Sequence, residues 1–137
     1  GNALRVVGYR GQGVGTHLRS SDADVSWKVP GGGSCSNVED LGRFGEGLVQ
    51  GKLVRLDSYA GLWTPQKTKA GKATRYGMGF SVEEWQGRML VGHGGAQEKT
   101  RTQLLLDPRR GHVVAFMTNS EWVKTSPIAH AAMAILE

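Results

Sequence analysis

The stretch from Arg75 to Asn119 leaves few choices for the fold. Runs that read as strands, "RYGMGFSVEEW", "RMLVGHG", "RTQLLLD" and "HVVAFMTN", are separated by short turn sequences. Gln86-Gly87 and "PRRG" have the chemistry that joins neighbouring antiparallel strands, because glycine accepts backbone angles other residues resist. Connections this short cannot cross over to a parallel strand. The segment therefore predicts an antiparallel meander of about four strands, containing two hairpins.

Helical patterns flank it. "SNVEDLGRFGEGLVQGK" sets Val38, Leu41, Phe44 (or Gly45) and Leu48 at helical spacing. Ser36 with Glu39 three places on reads as a capping box, and Gly51 supplies a stop. "LDSYAGLWTPQ" adds one or two turns, started by Asp57 and stopped before Pro65. "KTKAGKAT" then reads as an exposed connection. After the meander, "SPIAHAAMAILE" begins a helix with Ser126 as its cap and Pro127 at the first helical position. Upstream, Leu4 to Arg10 reads as a short strand, and residues 16 to 33 have no clear period and end in the loop "VPGGG". Strand, loop, helices, meander and terminal helix make an α+β pattern. The expected architecture is an antiparallel sheet with packed helices, residues 1–137 forming one partial domain. The "LLL" and "VVAF" runs imply burial on both sheet faces. The terminal helix covers one face, and the sequence offers little for the other. A missing segment, or a second copy of the chain, is expected there.

Composition narrows the chemistry. Lys and Arg number 17 against 12 Asp and Glu, a net charge of +5. The basic residues are scattered apart from Lys67, Lys69, Lys72 and Arg75, which no aromatic ladder accompanies. They read as a solvated loop, so no nucleic-acid partner is expected. Cys35 is the single cysteine, which excludes an intrachain disulfide and a cysteine zinc site; it reads as a small buried residue. His17, His93, His112 and His130 show no paired ligand spacing, so no metal is expected. "GQGVG" lacks the dinucleotide fingerprint and sits in no βαβ unit, and no cofactor is expected. Glu83 and Glu84 are adjacent on a strand and point to opposite faces, which rules out an acid–base pair. Ser34, Cys35 and Ser36 follow three glycines as nucleophile candidates, but Ser36 reads as the helix cap and Cys35 as a small buried residue. No apolar run approaches 20 residues, so no membrane span is expected, and no signal peptide opens the chain. The first residue is not methionine, which fits a processed product or an excised piece.

His93-Gly94-Gly95 needs its own reason. Two glycines at a strand end cost backbone entropy and fill no core, so something is expected to approach that backbone closely.

"VPGGGSCSNVEDLGRFGEGLVQGKL", "LWTPQ", "YGMGF", "GRMLVGHGGAQEKTRTQLLLDPRRG" and "VVAFMTN", in that order, resemble the C-terminal half of the serine β-lactamase-like hydrolases. That group holds class C β-lactamases, DD-peptidases, penicillin-binding-protein-like enzymes and related esterases. The resemblance covers roughly residues 27 to 137. It implies a β-lactamase/transpeptidase-like fold and hydrolysis of an ester, a peptide or a β-lactam through an acyl-enzyme. In such enzymes a serine in S-x-x-K attacks the carbonyl, and a tyrosine, often in Y-x-N, or a lysine handles the proton. A third motif on a sheet strand, K-T-G or H-x-G, completes the site. His93-Gly94-Gly95 matches that third motif. The resemblance gives His93 a polar role beside the catalytic cluster, Gly94 and Gly95 room for the substrate backbone, and the Ala96 N–H a place as oxyanion donor. It also implies a periplasmic or secreted setting. Two departures stand against it. The chain has no S-x-x-K, "TPQK" at Thr64 to Lys67 being the nearest, and none of Tyr9, Tyr59 and Tyr76 begins a Y-x-N. Lys99 stands where relatives of the form "HGGAQEGT" commonly carry glycine. The missing nucleophile and base imply that the chain is inactive alone. A non-catalytic binding or regulatory module is the alternative reading.

Overall fold

The computed structural model describes residues 6–11, 15–21 and 24–136. Two short strands, β1 (Tyr9–Gly11) and β2 (His17–Arg19), precede a single 3-10 turn at Ser26–Lys28. Helices α1 (Val38–Val49) and α2 (Leu56–Trp63) follow. Strands β3 (Ser81–Trp85), β4 (Arg88–Gln97), β5 (Thr100–Asp107) and β6 (His112–Thr118) come next, and α3 (Thr125–Ile135) closes the chain. The four long strands form one antiparallel sheet in the order β3-β4-β5-β6, the expected meander. The strand expected over Leu4 to Arg10 begins at Tyr9 within the described residues, and Leu4 and Arg5 lie outside them.

Turn chemistry sets the register. Gln86 and Gly87 both hold positive φ, 49° and 73°, the pairing of a tight turn whose twist matches its strands. In the β5–β6 turn, the Asp107 carboxylate accepts the backbone N–H groups of Arg109 and Arg110, each at 3.1 Å. Gly111 closes that turn at φ 73°. The β4–β5 turn is the two-residue Glu98-Lys99. Lys99 carries φ 72° there, a conformation glycine adopts without steric cost.

The helix ends differ from the sequence reading in detail. The cap of α1 is Asn37 and not Ser36: its Oδ1 accepts the Asp40 N–H at 2.8 Å while its Nδ2 donates to Asp40 Oδ2 at 2.8 Å. An amide both accepts and donates, so one side chain satisfies the helix end and fixes Asp40. Gly51 does stop the helix, at φ 69°. Its N–H reaches the Leu48 carbonyl and the Lys52 N–H reaches that of Gly47, the paired bonds of a Schellman end. Arg55, not Asp57, precedes α2, and Asp57 lies in the first turn. The N-cap of α3 is Lys124, which leaves Ser126 and Pro127 inside the first turn. Proline is tolerated there because its absent N–H had no helical partner.

Side-chain alternation divides "LLL" between two cores. Leu104 and Leu106 join Val82 and Val91 beneath Leu48 of α1 and Tyr59 of α2. Leu105 joins Leu90 beneath Ala129 and Met133 of α3. Both faces are indeed buried, but the expectation that the chain lacks cover for the second face is overturned. Helices α1 and α2 supply it. Gly45 makes this possible, since a Cβ there would stand 2.6 Å from Val113 Cγ1, and helix and sheet meet closely. Cys35 is exposed, contrary to the buried reading, because it lies in the extended approach to α1 and not on its packed face.

Candidate active site

Strand β4 outruns its neighbour. Its pairing with β3 ends at Ser81↔Gly92, whereas its pairing with β5 continues to Gln97↔Thr100. From His93 to Gln97 one edge of β4 therefore has no strand partner among the described residues. Which backbone groups face that edge follows from parity. The Gly92 carbonyl points toward β3, where it accepts the Ser81 hydroxyl at 2.8 Å. In an antiparallel sheet, successive residues aim their N–H and C=O groups at opposite neighbours. With no bulge in the register, Gly94 and Ala96 present theirs to the open edge.

The side chains alternate too. His93 pairs with Leu104, which belongs to the α1–α2 core, so His93, Gly95 and Gln97 stand on that face. His93 is exposed at the margin of this core and makes an edge-on contact with Tyr76, ring centroids 5.8 Å apart. Four residues on, about 13 Å at ~3.3 Å per residue, the Gln97 amide is part-buried. Its Oε1 accepts the Lys28 ammonium at 2.7 Å and its Nε2 donates to the Gly32 carbonyl at 3.1 Å. Between them Gly95 has no side chain, and the Thr102 hydroxyl fills the space a Cβ would take. His93 and Tyr76 thus stand at one end of this stretch of β4 and the tethered Gln97 at the other.

His93, Gly94, Gly95 and Ala96 thus follow one another along β4, with Gly94 and Ala96 turned to its open edge. The other histidines are elsewhere: His17 stacks on Trp122 at 4.7 Å, and His112 begins β6 with a buried Nδ1 that has no partner. Among the described residues no cluster of His, Cys, Asp or Glu could hold a metal ion, and no helix is long and apolar enough to cross a membrane. Tyr76 and Gln97 were missed from the sequence. Both act through contacts with residues distant along the chain, and no local motif carries that information.

A second cluster imitates a catalytic triad and fails as one. Ser126 Oγ lies 3.3 Å from His130 Nδ1, and His130 Nε2 lies 2.8 Å from Glu83 Oε1. The same Nδ1, however, is 2.8 Å from the Ser126 backbone carbonyl. A carbonyl only accepts, so an Nδ1 bonded to it is a donor and is not free to take a proton from the hydroxyl. The cluster pins α3 to β3. Two concavities lie around the β3–β4 turn and do not include His93: one is lined by Arg88, Asp107, Arg109 and Arg110, the other by Arg75, Glu83, Glu84 and Met89 among others.

An antiparallel sheet covered by helices on both faces, with a glycine-lined strand edge left open beside a histidine, defines an α+β scaffold of the transpeptidase kind. The family model described as Beta-lactamase matches residues 2–135, and the chain belongs to that family of hydrolases. It is similar to a D-aminopeptidase of Brucella anthropi, 30% identical over 97 residues that make up 71% of this chain and 18% of that protein. It also resembles the crystal structure of a D-stereospecific amidohydrolase from Streptomyces sp., with a TM-score of 0.58 and 24% identity over 71% of this chain and 29% of that one. The chain thus spans under a third of the length of either relative.

Proposed function

We propose that these residues form the sheet side of an acyl-transfer site that hydrolyses an amide, the serine nucleophile and its base coming from polypeptide outside the 137 residues. The observation that carries this reading is the unpaired β4 edge at Gly94 and Ala96 beside His93. A peptide substrate lies along that edge as an added strand, its backbone bonded to the outward groups of Gly94 and Ala96. The serine oxygen bonds to the carbonyl carbon, and the electron pair of the C=O collects on the oxygen. The Ala96 N–H points at that charge without having to reorganise. Collapse expels the amine, which takes up the proton removed from the serine, and water then frees the acid from the acyl-enzyme. His93 supplies a polar hydrogen-bonding group at the site's margin. Similarity to the D-aminopeptidase favours a peptide bearing a D-residue over an ester or a lactam.

The test uses the complete polypeptide. His93→Ala is expected to lower kcat/KM for a D-residue amide by about tenfold to a thousandfold, the range for one lost electrostatic or proton-handling contact. His112→Ala leaves activity near wild type, and thermal melts show both variants folded. The isolated 137-residue chain takes up no fluorophosphonate label. Equal effects of the two substitutions, or a stoichiometric adduct on Ser34 or another serine of this chain, overturn the proposal in favour of a site elsewhere or a non-catalytic module.

A further inference from the structure

The β5–β6 turn carries more charge than its geometry needs. Asp107 and Gly111 suffice to shape it: the Asp107 carboxylate accepts the N–H groups of Arg109 and Arg110, and the Asp107 carbonyl accepts that of Gly111 at 2.9 Å. Nothing in those bonds calls for arginine at positions 109 and 110. Both residues are exposed, and neither guanidinium has a hydrogen bond or ion pair among the described residues. Two adjacent like charges repel each other, so the fold gains nothing from the pair.

A third cation stands beside them. The Arg88 guanidinium is held by Asp107 at 3.4 Å and lies over the Trp85 ring at 4.8 Å, and the residue is only 9% exposed. Gly87, Arg88, Asp107, Arg109 and Arg110 line a concavity of about 320 Å³, at the small end of the range for small-ligand sites. Its wall carries three arginines against one aspartate, and Glu83 and Glu84 line the adjoining concavity and not this one. The oxygens of Asp107 are taken up by the turn and by Arg88. Two positive charges are left for whatever enters.

We infer that this concavity binds a doubly charged oxyanion, a phosphate group, held by the Arg109 and Arg110 guanidinium groups with Arg88 fixed beside them. A guanidinium is a planar fork of N–H donors that matches phosphate oxygens. The turn locked by Asp107 presents two such forks with no further ordering of the backbone. The site is separate from the proposed acyl-transfer edge. His93 lies five residues further along β4, about 16 Å at ~3.3 Å per residue, and does not line the concavity.

The experiment titrates the complete polypeptide by calorimetry with inorganic phosphate and, separately, with glycerol 3-phosphate, at fixed ionic strength in chloride. One phosphate per chain is expected to bind with a Kd of about 1 mM or tighter. Replacing both turn arginines, Arg109→Ala with Arg110→Ala, weakens binding at least about tenfold. The pair Arg109→Lys with Arg110→Lys keeps the charge, loses the forks and recovers only part of the affinity. His93→Ala leaves phosphate binding unchanged. Without ligand, both double variants melt within about 3 °C of the wild type, because the side chains touch no core. If the alanine pair melts early, the lysine pair decides in its place. Tighter binding of glycerol 3-phosphate than of inorganic phosphate identifies a phosphate ester as the occupant, and equal or weaker binding identifies the free ion. No saturable binding, full affinity in the double variants, or the same response to added sodium chloride alone overturns the site.

Discussion

His93 and Asp107 sit on adjacent strands, and the surroundings ask opposite things of the two polar side chains. His93 is exposed at the margin of the α1–α2 core, where its ring meets the edge of Tyr76. Asp107 is 1% exposed and has its oxygens taken up internally, by the N–H groups of Arg109 and Arg110 and by Arg88 Nη1 at 3.4 Å. Arg88 in turn lies over the Trp85 ring at 4.8 Å. A buried carboxylate that loses its side chain leaves donors and a cation short of a partner, and such losses cost about 3 kcal/mol. Asp107→Ala is therefore expected to destabilise the fold by roughly that amount, while Asp107→Asn, which still accepts the turn's N–H groups, costs less. Chemical denaturation of the two variants measures the difference. The His93-Gly94-Gly95 motif stands out in the sequence because glycines mark it. Asp107 was not, since an aspartate before Pro-Arg-Arg-Gly reads as one more solvated turn residue until the register places it under Arg88.

At the scale of elements, what could be read was whatever depends on near neighbours in sequence. The meander, the Gln86-Gly87 turn and the Gly51 stop all follow from local backbone preference, and the structure has them. What was misread depends on choices between adjacent polar residues or on contacts between distant ones. "SCSN" offers two serines and an asparagine as caps, and only the geometry of the approach to α1 selects Asn37. Asn37→Ala is expected to cost about 1 kcal/mol and Ser36→Ala almost nothing, a comparison that paired melting curves decide. The cover of the second sheet face was missed for a related reason. Glycines such as Gly42, Gly45 and Gly47 either weaken a helix or allow close packing, and at Gly45 it is close packing, the helix pressing on Val113, Leu104 and Leu106. The β1–β2 pair was only half visible, because its docking uses backbone bonds between Tyr9 and both Asn119 and Glu121, with no side-chain pattern to announce them.

For the whole molecule, exposed apolar groups are the informative feature. Phe44, Leu53 and Met78 lie about half exposed on the described surface, and apolar surface left open favours association. Helices on both sheet faces give the chain its cores, yet the outside of the assembly stays open. The isolated chain is expected to sediment as a dimer or larger, or to bind added polypeptide from the rest of its fold. A compact monomer at low concentration contradicts this. The open β4 edge then carries a hazard as well as a use. A strand edge that accepts a substrate accepts other strands on the same terms, and apolar edges of this kind seed aggregates. Gly94 and Gly95 have a low strand-forming tendency, and Glu98 and Lys99 place opposite charges at the tip of the hairpin. On the proposed reading, the glycines that would make room for a ligand also make the edge a poor template, so substrate access and resistance to aggregation would fall to the same two residues.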